Sequence, residues 1–130
     1  MEIQVNTEKR IELIDVTGEA QKMVEKGSGI LIVFVTHTTA GVYINENESG
    51  LREDVLDTLN RLVPQLSYKH NRIDSNADSH LKAILVGNSA VIPVENGRLQ
   101  LGTWQRVFFC EFDGPRQRKL NFTFISSESS

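Results

Sequence analysis

The order of apolar and polar positions predicts strands and helices that alternate in the first two thirds of the chain. Residues 2–14 hold two alternating stretches, Ile3/Val5 and Ile11/Leu13, which predict one bent strand or a hairpin. The unbroken apolar run 30–35 predicts a buried strand that reaches Thr36, either central in its sheet or covered on both faces. Residues 42–45 predict a second short strand.

Three stretches have the apolar spacing of helices. The first is short, is capped by Asp15 or Thr17 and ends near Gly27. The second begins with Ser49 as its cap and stops at Pro64. The third ends at Gly87 after a non-periodic segment, 65–76, that is predicted to be a long loop. The predicted core-facing positions of the third helix are Ala77, Leu81, Ile84 and Leu85.

The last third of the chain is predicted to be strands. Asn96-Gly97 is the strongest short hairpin signal, and residues 104–112 read as a long strand that ends in the turn at Asp113. Leu120, Phe122 and Phe124 share one face of a final strand, and residues 126–130 are predicted to be a frayed tail. The whole pattern predicts one α+β domain, 1–130, built as a sandwich or curled sheet with about three helices packed on it.

Composition narrows the class of protein. The chain has 130 residues, of which 39% are hydrophobic and 24% charged, and a net charge of −3, so a nucleic-acid partner is not indicated. No apolar run approaches the roughly 20 residues of a membrane span. Cys110 is the only cysteine, which excludes an internal disulfide, and the first residues lack the pattern of a signal peptide. We therefore expect a cytoplasmic protein with no membrane partner.

Three histidines are the main candidates for chemistry. His37 follows the buried strand, His70 lies in the long loop and His80 lies in the first turn of the third helix. If they converge, neutral imidazoles could hold a divalent metal such as zinc, or one of them could act as a general acid or base. Their spacing matches no standard zinc motif, and each could also be a structural histidine.

Basic residues near two element ends suggest an anion site. Arg116 and Arg118 are in phase with the apolar face of the last strand, so they could clamp a phosphate or carboxylate, or form a solvated turn. The start of the third helix, around Asn76, offers free N–H groups, and Lys82 lies one turn further on. Glu46 and Asp54 are either acid/base carboxylates or ordinary charges at a helix start.

Four motifs together resemble the YjbQ family, also called UPF0047. They are Thr36-His37-Thr38-Thr39-Ala40-Gly41 with Asn45-Glu46, Asn76-Ala77-Asp78-Ser79-His80-Leu81-Lys82, Gly102-Thr103-Trp104-Gln105 and Asp113-Gly114-Pro115-Arg116-Gln117-Arg118. The resemblance implies a two-sheet antiparallel β-sandwich assembled as a homotrimer. It also implies an activity like that of secondary thiamine-phosphate synthases, which join a pyrimidine pyrophosphate to a thiazole phosphate and release pyrophosphate.

The resemblance assigns roles to the polar motif positions. His37, His80 and Glu46 become the catalytic candidates, and His37, His70 and His80 remain the candidate metal ligands. The candidates for binding a small anionic or phosphorylated ligand are Thr38, Thr39, Asn45, Asn76, Lys82, Gln105, Arg116 and Arg118. Pyrophosphate chemistry normally uses magnesium, yet the chain has no Asp-rich magnesium motif. The alternative to an enzyme is a non-catalytic trimeric module that binds a metal or an anion.

Overall fold

Two antiparallel sheets form the framework. A computed structural model describes residues 1–127. The strands of this part of the chain are β1 Glu2–Asn6, β2 Glu12–Asp15, β3 Gly29–Val35, β4 Ala40–Asn45, β5 Ser89–Glu95, β6 Arg98–Leu99, β7 Arg106–Glu111 and β8 Gln117–Ser126. The helices are α1 Thr17–Lys22, α2 Ser49–Leu62 and α3 Ala77–Val86, and a 3₁₀ turn spans Lys69–Arg72 in the predicted long loop.

The strands divide into a five-stranded sheet and a three-stranded sheet. The larger sheet has the order β1-β8-β3-β5-β6 and the smaller one β2-β7-β4. β1 pairs with β8 while β2 pairs with β7, so residues 2–14 do not form a hairpin and instead pass from one sheet to the other. β3 lies between β8 and β5, which confirms its predicted central position.

The two sheets face each other across one hydrophobic core. Leu31 and Val33 from β3 and Val107 and Phe109 from β7 are fully buried in the same cluster, together with Ala20 of α1. A smaller cluster around Cys110 and Phe112 lies on the other face of the three-stranded sheet, where α2 and α3 cover it. The molecule is therefore an α+β sandwich in which these two helices cover only the smaller sheet.

The predicted hairpin at Asn96-Gly97 is confirmed. Val94 pairs with Leu99 and Glu95 with Arg98, leaving a two-residue loop. Asn96 has a φ of 49° and Gly97 a φ of 75°, the left-handed conformation that a type I′ turn needs at both positions. The local sequence was sufficient here because Asn and Gly tolerate positive φ better than other residues do.

The start of α2 differs from the prediction. Glu48, rather than Ser49, is the N-cap, and its carboxylate accepts hydrogen bonds from the N–H groups of Gly50 and Leu51. Those hydrogen bonds hold the pKa of Glu48 below its ordinary value. No residue of α2 is fully buried, so its apolar stripe lies on the sheet without being enclosed by it.

α3 buries a different set of residues from the predicted one. Ala77 is buried as expected, but Ile84 is 75% exposed and Leu85 58% exposed. The other residues that α3 buries are Asp78, Ser79, Lys82 and Ala83. Polar groups can occupy this interface because they are paired, as in the hydrogen bond from Ser79 Oγ to the Phe112 carbonyl at 2.6 Å.

Two further expectations concern the chain end and the membrane. β8 continues to Ser126, and the N–H of Ser127 donates to the Ser28 carbonyl at 2.9 Å. The predicted frayed tail is therefore wrong for its first two residues, and residues 128–130 lie outside the described part. Within residues 1–127, no helix has the length and apolar character needed to cross a membrane.

Candidate functional site

A groove of about 550 Å³ lies between the β3–β4 connection and α3. Its lining consists of His37, Thr38, Ala40, His80, Ala83, Ile84, Gly87 and Asn88. A glycine at position 41 lets the end of α3 approach β4 closely, since a Cβ there would lie 2.7 Å from the Gly87 carbonyl oxygen. That carbonyl accepts a hydrogen bond from the N–H of Val42 at 3.1 Å, which ties the helix end to the strand.

His37 is held in place by the neighbouring sheet. β3 ends at Val35, opposite Leu120 of β8, and the His37 Nε2 accepts the next N–H along β8, that of Lys119, at 2.9 Å. Burial of the imidazole, followed by the positive charge of Arg118, lowers the pKa of His37 below its ordinary value. Both effects disfavour the imidazolium, and His37 is one of the side chains that line the groove.

His80 lies across the groove and contacts His70. The two rings meet edge to face with centroids 4.6 Å apart, so the 3₁₀ turn packs against the start of α3. Within residues 1–127, no hydrogen bond occupies either ring nitrogen of His80. The buried His70 Nε2 also has no partner there. The structure thus brings the three predicted histidines into one region.

The three histidines do not form the predicted metal site. In the described part of the chain, no group of three or more His, Cys, Asp or Glu side chains is arranged to hold a metal ion. The Nε2 lone pair of His37 is also already engaged by the Lys119 N–H.

Arg118 is buried in an ion pair instead of facing the groove. Its Nε donates to Glu111 Oε1 at 2.8 Å, its Nη2 bonds to Glu111 Oε2, and the same Nη2 donates to Thr39 Oγ1 at 2.8 Å. Burial would raise the pKa of Glu111, but hydrogen bonds from Arg118, the Asp113 N–H and Thr7 outweigh it and hold the pKa low. The pair connects β8 of one sheet to β7 of the other and closes one end of the sandwich.

The other predicted anion-binding cations are also paired. Lys82 is 1% exposed and donates to Asp78 Oδ2 at 3.0 Å, while Arg10 forks onto both oxygens of the same carboxylate at 3.0 and 3.2 Å. Burial would raise the pKa of Asp78, and these two cations outweigh it, so its pKa is lowered. Arg116 pairs with Asp113 at 2.9 Å. In this conformation these side chains stabilise loops and helices through ion pairs. They do not form the predicted anion clamp.

Asn76 joins the same loop network. Its Nδ2 donates to Asp113 Oδ2 at 2.7 Å, while its Oδ1 is buried and has no partner among the described residues. Most of the N–H groups expected to be free at the start of α3 are occupied, since that of Ala77 donates to Asn71 Oδ1 at 3.2 Å and those of Ser79 and His80 donate to the Asn76 carbonyl at 3.0 and 3.3 Å.

Three predicted site residues lie at the opposite end of the smaller sheet. In the β4–β7 register Ala40 pairs with Glu111 and Asn45 pairs with Arg106, so Asn45 lies about 16 Å along β4 from Ala40 of the groove, and Glu46 follows it. Gln105 closes the turn before β7 by accepting the Gly102 N–H at 2.8 Å. Trp104 in this turn is 71% exposed, so it fills neither the core nor the groove.

Sequence reasoning missed Glu111 at one end of the sandwich and gave Asp15, at the other end, only as a possible cap of the first helix. Glu111 stands in the apolar run of β7 and is fully buried; a lone acid in such a run was the available signal. Asp15 accepts hydrogen bonds from Arg106 Nε at 2.8 Å, Asn47 Nδ2 at 3.0 Å and the Thr17 hydroxyl at 2.6 Å. Burial would raise the pKa of Asp15, but these hydrogen bonds outweigh burial and lower the pKa to about 2.

Several known proteins are similar to this chain over almost its whole length. Residues 1–127 match the family model described as UPF0047 protein YjbQ-like. A UPF0047 protein of Archaeoglobus fulgidus is 54% identical over 121 residues, covering 92% of this chain and 96% of that protein. A hypothetical protein from Aeropyrum pernix K1 superposes with a TM-score of 0.93 at 43% identity, covering 98% of both chains. A YbjQ-like protein of unknown function from Sulfolobus solfataricus P2 gives a TM-score of 0.95 at 39% identity, covering 98% of this chain and 96% of that one.

Proposed function

The chain belongs to the YjbQ-like UPF0047 family, and from that premise we propose that it is an enzyme that acts on a small molecule bound in the groove between His37 and His80. The observation that carries the proposal is the placement of two imidazoles on one groove with apolar walls. One imidazole is fixed by the main chain of β8, and the other has unoccupied nitrogens within the described residues. A concave apolar site with a few polar groups is the usual setting for small-molecule chemistry.

Acid–base catalysis is the chemistry that this groove supports best. A histidine with a free nitrogen can accept or donate a proton near neutral pH. His80 meets that requirement, and its edge-to-face contact with His70 limits how its ring can turn. Thr38 and Asn88 add neutral hydrogen-bonding groups to the lining. We therefore assign proton transfer to His80 and ligand positioning to His37, Thr38 and Asn88.

The most specific candidate reaction is thiamine-phosphate synthesis, which the family resemblance supports. Purified protein is incubated with a pyrimidine pyrophosphate, a thiazole phosphate and magnesium, and pyrophosphate release is measured. His80→Asn should lower the rate at least tenfold, while Leu85→Ala on the exposed side of the same helix should leave it unchanged. No release by wild type above a protein-free blank would reject this reaction, and equal release by wild type and His80→Asn would reject the role of His80. Because Arg118, Arg116 and Lys82 all pair with acids in this structure, a phosphorylated substrate would have to use other cations or displace these pairs.

The second candidate function is a non-catalytic module that binds an anion. The buried, unpartnered His70 Nε2 favours it, because such an atom often receives a bound water or ligand. Inorganic pyrophosphate should then raise the thermal midpoint of wild type without turnover of any substrate. No stabilisation by this probe would reject the module.

We also propose the homotrimer that the family resemblance implies. The outward face of the five-stranded sheet carries Phe34, Val91 and Ile125, which are 40%, 58% and 49% exposed, and neither α2 nor α3 covers it. Ile32 pairs with Val91 and Ile30 with Ile125, so these apolar side chains form a continuous surface suited to a partner subunit. Light scattering should give three times the 14.6 kDa chain mass, and Val91→Asp should lower it. A monomeric wild type would contradict the proposal.

A further inference from the structure

The imidazole of His37 occupies a position that a strand would otherwise fill. β3 ends at Val35, and the ring of His37 supplies the acceptor for the N–H of Lys119 one step further along β8. A ring turned over about its own axis would place a carbon there and leave that N–H unpaired. The contact therefore identifies the ring atom that faces the strand as Nε2 and also requires that this nitrogen carry no proton.

We propose that His37 is a fixed hydrogen-bond donor, with its proton on Nδ1, and that it recognises an acceptor oxygen of the ligand in the groove instead of acting as a base. A neutral imidazole has one proton, and the Lys119 N–H excludes it from Nε2. An unconstrained neutral imidazole favours the Nε2–H form, so the main chain selects the less common tautomer.

The surroundings keep the ring neutral. Burial is the largest influence, Arg118 and Lys119 add positive charge, and all three disfavour the imidazolium. The carboxylate of Glu111 acts in the opposite direction, but Glu111 is itself paired with Arg118. A second proton on Nε2 would also repel the Lys119 N–H.

A neutral hydrogen-bond donor at His37 limits the chemical class of ligand that the groove can bind. Among the described residues, no lysine or arginine lines the groove, and its walls include Ala40, Ala83 and Ile84. With His37 as a neutral donor, the lining suits a ligand that combines an apolar part with a carbonyl-type oxygen. This ligand class rests on the proposed function of the groove, whereas the tautomer is a property of the free protein and is tested without any ligand.

Nitrogen-15 NMR of histidine-labelled protein tests the tautomer. The protonated and unprotonated nitrogens of a neutral imidazole have widely separated shifts, and their couplings to the ring protons identify each nitrogen. At pH 8, His37 should show a protonated Nδ1 and an unprotonated Nε2. A protonated Nε2 at this pH would overturn the proposal whether or not the protein proves to be an enzyme.

Two matched variants test the two ring nitrogens of His37 separately. In His37→Gln the side-chain amide reaches the position of Nε2, so it can still accept the Lys119 N–H but loses the Nδ1 donor. In His37→Asn the amide reaches only the position of Nδ1. Hydrogen exchange of the Lys119 amide should be near wild type in His37→Gln and roughly five- to tenfold faster in His37→Asn. Equal exchange in both variants would show that the ring does not hold this N–H and would refute the proposal.

Discussion

The ion pair between Arg118 and Glu111 is predicted to stabilise the fold, and Glu111→Gln tests this most directly. The substitution keeps the size of the side chain but removes the charge opposite Arg118, which is only 5% exposed. It also replaces one acceptor oxygen with an NH₂ group. That group would face Arg118 or the Asp113 N–H, both of which are donors. A buried cation and at least one donor are left without a partner.

The expected cost follows from this geometry. Removing one partner of a buried ion pair typically costs about 3–5 kcal/mol, because the remaining charge stays out of water. For a chain of this size the loss corresponds to a fall in the thermal midpoint of roughly 10–20 °C. Glu111→Leu combined with Arg118→Met removes both charges and should recover most of this stability.

The measurement is urea unfolding at one fixed protein concentration, so that any subunit association contributes equally. Circular dichroism is the better signal, since Trp104 is already 71% exposed in the folded chain. Arg116→Gln is the matched control, because it removes a half-exposed charge from an ion pair and the loss should stay below about 1 kcal/mol. If Glu111→Gln costs no more than this control, the buried pair does not support the fold.

Three further outcomes are expected. Gly41→Ala should lower the thermal midpoint and perturb NMR signals of the groove, because its methyl group would meet the Gly87 carbonyl; an unchanged midpoint would refute the close approach. Asp15→Asn should cost about 1 kcal/mol in urea unfolding through the weakened start of α1, and no loss would mean that this carboxylate is not a main support. Asp15, Asp78 and Glu111 have lowered pKa values, so their stabilisation is complete above the unfolded-state values near pH 4. It is lost as the pH falls through the lower folded-state values. The urea concentration at the unfolding midpoint, measured from pH 7 to pH 2, should therefore decrease once the pH is below about 4. A midpoint that does not change with pH would contradict the assigned pairings.

Local chemistry made much of the fold predictable. The apolar run of β3 indicated a central strand, and Asn96-Gly97 indicated the hairpin, because both signals depend on neighbouring residues alone. The end of α3 at Gly87 was predictable for the same reason. The order of the strands was not, since the pairing of β1 with β8 joins residues more than one hundred positions apart.

The candidate site was likewise predictable from the sequence only in part. The motif around His37 and the start of α3 indicated two walls of the groove, and these segments do lie together. Glu46 and Gln105 belong to similar polar motifs but lie at the far end of the smaller sheet. A motif identifies residue types, whereas strand register determines which motifs are adjacent.

The sequence by itself determined which segments are strands, where the hairpin turns and which histidines are available for chemistry. Tertiary structure alone decided that α3 buries Asp78 and Lys82 while exposing Ile84, because Arg10, 68 positions before Asp78, completes the charge balance. It also decided that Arg118 supports the sandwich through Glu111 rather than facing the groove. The physical reason is that hydrophobic periodicity and turn preferences act between near neighbours, whereas the cost of burying a charge depends on a partner that only the complete fold supplies.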